Sequence, residues 1–134
     1  MFGRWNTVQN LWQGSENRSA ILRIMTSGRL PQISLVIAAY NDWVALEGCL
    51  ASVGAQRNSP EIEVLVIDDG SEMPVPAAIA RQGERIDLRV IRQPHSGIAV
   101  ARNRGVQEAR GTVVLFTDCD CVLDPECLWQ LALA

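Results

Sequence analysis

The chain has 134 residues, 48% of them hydrophobic and 20% charged, with a formal net charge of -3 at neutral pH. That length fits one compact domain able to bury roughly two thirds of its unfolded surface, and the net acidity gives no general attraction for nucleic acid or anionic lipid. All 12 basic residues are arginine, which excludes Schiff-base chemistry and the lysine-dependent G-x-x-x-x-G-K-S/T phosphate loop.

Residues 1–30 show no sustained hydrophobic period and read as an N-terminal extension, in which Leu11, Trp12 and Leu22 suit one side of a short helix. Arg4, Trp5, Glu16 and Arg18 interrupt it, so it lacks the apolar centre of a secretory signal. No run elsewhere approaches the ~20 apolar residues of a membrane span. The expectation is a chain without a transmembrane segment that stays in the cytoplasm, peripheral attachment to the inner membrane face being compatible with this. In that reducing setting Asn17-Arg18-Ser19 is a chance match to a glycosylation acceptor, and Cys49, Cys119, Cys121 and Cys127 are expected as thiols. Zinc held by Cys119, Cys121 and Cys127 is disfavoured, because no C-x-x-C pair is present and His95 is the only histidine.

Gly28 and Pro31 bracket a break, after which residues 33–38 are short, apolar and β-branched and predict a central strand. Asn41 or Asp42 suits a helix cap, and Leu46, Cys49, Leu50 and Val53 mark one face of a helix running to about Ala55. A second buried strand over 62–67 ends in Asp68-Asp69-Gly70-Ser71, and Pro76 opens a short helix ending near Gln82. Arginines interrupt a third strand over 88–92, which places it nearer an edge. Ser96 is the expected cap of a helix over 97–109, Gly111 precedes a fourth strand from Val113, and Asp124-Pro125 begins a last helix. Alternating strands and helices predict an α/β architecture: a mostly parallel sheet with helices on both faces.

In such sheets ligands bind beyond the carboxyl ends of the strands. Three of those ends collect Tyr40 and the four carboxylates of Asp68, Asp69, Asp118 and Asp120, a concentration of acid that a cation or a donor-rich ligand would offset. Alternation along an extended backbone is expected to turn Asp118 and Asp120 to the same side. Asp68 suits loop amides better than a ligand. Ala101, Gly105 and Ala109 form a stripe of small residues that reads first as close helix–sheet packing, with Arg102 and Asn103 placed to offer a guanidinium and an amide to the crevice. His95 reads as a loop residue at the rim, and Cys119 and Cys121 as small packing residues.

Taken together, 33–41, Val66-Ile67-Asp68-Asp69-Gly70-Ser71, 97–105 and Leu115-Phe116-Thr117-Asp118-Cys119-Asp120-Cys121 resemble the successive motifs of family-2 glycosyltransferases of GT-A fold, over about residues 31–129. The resemblance implies a nucleotide-diphosphate sugar donor (UDP-, GDP- or dTDP-linked), an unidentified acceptor hydroxyl, and Mg²⁺ or Mn²⁺ as cofactor. It also implies donor contacts from Ala38, Ala39, Tyr40, Asp69, Arg102 and Asp118. Asp118-Cys119-Asp120 corresponds to the D-x-D motif, with Asp120 and Asp118 as metal ligands. In that family the acceptor site and the general base lie beyond the D-x-D strand, so residues 31–134 are expected to be the nucleotide-sugar-binding part, poorly active alone. Two other readings compete: a non-catalytic, degenerate glycosyltransferase-like partner domain, and a receiver-type phosphotransfer domain, which the absence of lysine counts against.

Overall fold

A computed structural model describes residues 32–134; the readings made on Leu11, Trp12, Leu22 and Asn17 lie outside them. Eight elements follow one another among the described residues: β1 (Ile33–Ala39), α1 (Trp43–Gly54), β2 (Ile62–Asp68), α2 (Ala77–Gln82), β3 (Asp87–Arg92), α3 (Ile98–Glu108), β4 (Val113–Asp118) and α4 (Cys127–Leu133). The four strands form one sheet in the order β3-β2-β1-β4, every pair parallel. The expected parallel sheet with helices on both faces is the one observed. No helix among the described residues is long and apolar enough to cross a membrane.

Strand alternation divides the core into two layers. Leu35, Ile37 and Ala39 of β1 and Val64 and Val66 of β2 face Leu46, Cys49, Leu50 and Val53 of α1 and Ile79 of α2. Val36, Leu65 and Ile67 face the other way, against Ala101 of α3. The small-residue stripe of α3 is therefore a packing surface: a β-carbon placed on Gly105 would overlap the methyl groups of Val36.

The ends of the helices depart from the expected caps in two places. Asp42 caps α1 as anticipated, accepting from Ala45 N at 3.3 Å. At α3, however, the cap is Gly97, with φ 97°, because Ser96 Oγ donates to Pro94 O at 2.7 Å instead of turning to the helix. At the chain's last helix, Asp124 Oδ1 accepts from Glu126 N at 2.9 Å, and this turn delays helix entry to Cys127.

One feature near the amino end of the sheet escaped the sequence reading. Glu63 is fully buried on the α3 side of β2. Its Oε1 accepts from Ser34 Oγ at 2.6 Å and from Arg110 N at 2.6 Å, and its Oε2 from Arg110 Nε at 3.0 Å and Arg89 Nη2 at 3.2 Å. Burial alone would raise its pKa, but the hydrogen bonds from Ser34 and Arg110 outweigh it and hold the carboxyl below the usual glutamate value. Arg89 also donates to Glu108 O at 2.6 Å, so this acid and its arginines secure the C-terminal end of α3.

The α3–β1 contact sets a stability test. Gly105→Ala is expected to destabilise the fold by about 1–3 kcal/mol through overpacking, whereas Gly48→Ala, where nothing lies within 4 Å of the new carbon, should stabilise it by about 0.5–1 kcal/mol. Urea unfolding of the two variants distinguishes the signs.

Candidate functional site

The strand order reverses at β1: the chain moves outward from β1 through β2 to β3, then returns by α3 to place β4 on the other side of β1. Such a reversal leaves a crevice at the carboxyl ends of the two strands involved. Ala38 of β1 is in register with Asp118 of β4, and Ala39 with Asp68 of β2, so Tyr40, Asp69 and the 118–121 segment all emerge at that edge.

Asp69 organises one wall. Its Oδ1 accepts from Gln93 Nε2 at 2.8 Å and Ser96 N at 2.9 Å, while Oδ2 accepts from Gly97 N at 2.8 Å and lies 3.0 Å from His95 Nδ1. Nδ1 also lies 3.1 Å from Asp69 O. Both of these neighbours are acceptors, which places the imidazole proton on Nδ1. Burial would raise the Asp69 pKa, but the bonds from Gln93, Ser96 and Gly97, with the nearby His95, leave it below the usual aspartate value. The four partners fill the carboxylate, so a ligand meets a free oxygen here only by exchanging one of them. His95 is the exchangeable one, its side chain 57% exposed where Gln93 is buried.

The same imidazole stacks on Tyr40, with ring centroids 4.2 Å apart and an interplanar angle of 25°. Tyr40 remains 45% exposed, so His95 backs one ring face and braces it. Asn41, in the left-handed region at φ 54°, accepts from Glu72 N at 2.8 Å while its own N–H donates to Ser71 Oγ at 2.9 Å, tying the loop after β1 to the loop after β2. Asp68 is fully buried, accepts from Ser71 N at 2.9 Å and pairs with Arg92, which is the loop-holding role the sequence indicated. Ala39 O accepts from Asp69 N at 2.9 Å, so this strand carbonyl is already partnered once.

The second wall is the end of β4. The strand stops at Asp118, and residues 119 and 120 form a turn closed by Cys121 N donating to Asp118 O at 3.2 Å. The expectation that strand alternation brings Asp118 and Asp120 together is thus corrected: a turn does so, and it adds Cys121. One ligand atom from each of Asp118, Asp120 and Cys121 lies within 4.8 Å of the others. Arg102 of α3 donates to Asp118 Oδ1 at 2.9 Å, and its guanidinium carbon lies 6.0 Å from the centre of the Phe116 ring. With side chains 40% and 58% exposed, such a pair is worth at most ~1 kcal/mol and opens easily.

Two further thiols lie beside this turn without joining the three-residue group. Cys49 is buried under the turn, its Sγ 3.8 Å from Asp118 O, and burial, reinforced by Cys121, Cys119 and Asp120 nearby, pushes its pKa up to about 11. Burial likewise raises the Cys119 thiol, with Asp42 and Asp120 adding to it; both stay protonated near neutral pH and serve as packing groups.

The structure therefore gathers the candidate residues into two sets on one edge, Tyr40 with Asp69 and Arg102 with Asp118 and Asp120. Sequence reasoning left Gln93 and the bracing role of His95 unassigned, and it read Cys121 as a packing residue where the structure sets it beside Asp118 and Asp120. A polar depression of about 260 Å³ between α1 and α2, lined by Glu47, Arg81, Gln82, Glu84 and Arg85, lies apart from both sets and mixes its charges.

Because the folded-state pKa of Asp69 is lowered, its contribution to stability is full above the unfolded aspartate value and is lost as pH falls through the folded one. Asp69→Asn should therefore lower stability at neutral pH and flatten the acid limb of stability against pH. Denaturant titrations from neutral to acidic pH read both effects.

The sequence profile described as Glycosyl transferase family 2 matches residues 34–134. EpsH of Bacillus subtilis (strain 168), a protein named as a glycosyltransferase, is 34% identical over 103 residues, covering 75% of this chain and 29% of that protein. The crystal structure of residues 1–349 of TarS from S. aureus, in complex with UDP-GlcNAc, superposes with a TM-score of 0.70 at 28% identity, covering 75% of this chain and 30% of that one. A mannosyltransferase from Pyrobaculum calidifontis shares the fold over 97% of this chain and 39% of its own, with a TM-score of 0.65 at 21% identity. The chain thus spans about a third of the length of these relatives, and it belongs to glycosyl transferase family 2.

Proposed function

We propose that the crevice between β1 and β4 takes a nucleotide-diphosphate sugar, and that the whole protein transfers the sugar to an acceptor hydroxyl with the help of a divalent cation. The observation that carries this reading is the meeting, in a chain of this family, of a braced aromatic, a guanidinium and a turn of acids at the reversal point of the sheet. TarS, which shares the fold at 28% identity, is described with UDP-GlcNAc bound, and this supports the same class of ligand.

Tyr40 offers its free ring face to the nucleotide base, with the backbone of Ala38 and Ala39 alongside. Asp69 holds the loop behind that wall and reaches the base when the His95 contact is exchanged. Arg102 leaves Asp118 to meet the diphosphate, where a planar guanidinium suits paired phosphate oxygens. Asp118 then turns to the ribose or to the cation. The donor set fits a divalent ion: two exposed carboxylates are available, and the Asp120 carboxylate has no protein partner among the described residues. Asp120 and Asp118 would hold Mg²⁺ or Mn²⁺, which when bound offsets the charge developing on the departing nucleoside diphosphate. A cytoplasmic setting, with or without peripheral attachment to the inner membrane face, suits the four free cysteines.

Isothermal titration of the 134-residue chain with UDP, GDP and dTDP in the presence of Mn²⁺ tests the assignment. At least one nucleotide should bind, Tyr40→Ala should cost about 1–3 kcal/mol of affinity if the base stacks on the ring, and Asp120→Ala should abolish the dependence on Mn²⁺. No binding by the wild type, or a cation dependence that survives Asp120→Ala, would sink it.

A further inference from the structure

We propose that the cation site is mixed, with the sulfur of Cys121 as a third ligand beside Asp118 and Asp120, so that the site favours borderline and soft divalent ions over Mg²⁺. This rests on the cation reading above and goes beyond it, since a D-x-D site of oxygen ligands alone would prefer hard ions.

The geometry comes from the turn. Its closing bond, Cys121 N to Asp118 O at 3.2 Å, folds the residue after the second acid back beside the first. Atoms bound to one ion at ~2.0–2.3 Å each lie at most about 4.6 Å from one another. The ligand atoms of these three residues are already within 4.8 Å, so a small closing movement suffices. The acids are exposed and Cys121 is half-buried on the same turn, which lets the three side chains adjust.

Position singles out Cys121 among the four thiols. Cys49 lies in the α1 layer with its Sγ toward Asp118 O, and Cys119 packs against that same layer. Neither Cys119 nor Cys127 joins the three-residue group, so the arrangement is not the all-cysteine zinc site weighed from the sequence. Two carboxylates and one sulfur are three protein ligands, leaving coordination positions for diphosphate oxygens. A thiolate in the set raises affinity for Co²⁺, Zn²⁺ and Cd²⁺ relative to Mg²⁺. On binding, the S–H bond of Cys121 is replaced by a sulfur–metal bond and one proton passes to solvent.

Co²⁺ titration of the 134-residue chain, followed by absorption, reads the ligands directly. The wild type should show visible d–d bands together with sulfur-to-cobalt charge transfer in the near ultraviolet. Cys121→Ser should keep the d–d bands and lose the charge transfer, while Cys119→Ser keeps both. In competition, Cys121→Ser should weaken Cd²⁺ by about tenfold, a factor worth ~1.4 kcal/mol, and leave Mg²⁺ unchanged; circular dichroism checks that the variant is folded. Co²⁺ bound without charge transfer, or charge transfer that survives Cys121→Ser, overturns the thiolate ligand and leaves the acid site standing. Absence of Co²⁺ binding in the wild type overturns the cation reading as well.

Discussion

Two buried carboxylates at opposite ends of β2 fix the position of α3, and the site depends on that position. Glu63, near the start of the strand, gathers Ser34, Arg89 and Arg110 and through them the end of the helix. Asp69, just past the end of the strand, gathers Gln93, Ser96 and Gly97 at its beginning. Removing a partner from either acid would leave buried polar groups unmatched, at a cost of several kcal/mol for charged ones. Between these anchors the helix rests on Val36 with no room for a side chain at Gly105. Its azimuth is thereby set, and Arg102 is delivered to Asp118.

Around that frame, the contacts at the mouth of the crevice differ in kind from those beneath it. The Asp69 carboxylate is about 5% exposed and filled, whereas the Arg102–Asp118 pair is roughly half exposed and joined by a single hydrogen bond. Buried bonds hold the backbone in register, and exposed ones exchange for ligand atoms at little cost. The stacked Tyr40–His95 pair lies between these extremes, immobilised on one side and open on the other.

Much of this was legible in the sequence, because it depends on near neighbours. Short β-branched runs gave the strands, the 3.6-residue spacing of Leu46, Cys49, Leu50 and Val53 gave the buried face of α1, and the arginines of β3 marked an edge strand. What escaped depends on residues brought together from afar. Asp69 meets partners 24 to 28 positions away, so its part in holding the loop before α3 could not be read from its neighbours in the chain. Glu63, an acid inside an apolar strand, was a visible anomaly whose partners Ser34 and Arg110 lie 29 and 47 positions away. The turn after Asp118 could not be told from a continuing strand by alternation, since both bring residues 118 and 120 to one side.

The filling of Asp69 has a consequence for how charge is handled in the crevice. The first amides of a helix carry a partial positive charge of roughly half a proton, which many phosphate sites exploit. Here the carboxylate of Asp69 sits on the N–H groups of Ser96 and Gly97, immediately before α3, so one negative charge from within the protein already lies at the positive end of that helix. A second anion at this edge would share that helix end with Asp69, and the chain has no lysine to offer it. On the proposed reading, the negative charge of a diphosphate would then fall chiefly on the guanidinium of Arg102 and on a bound cation, so the cation's share of that charge would be larger here than at a site with a free helix end.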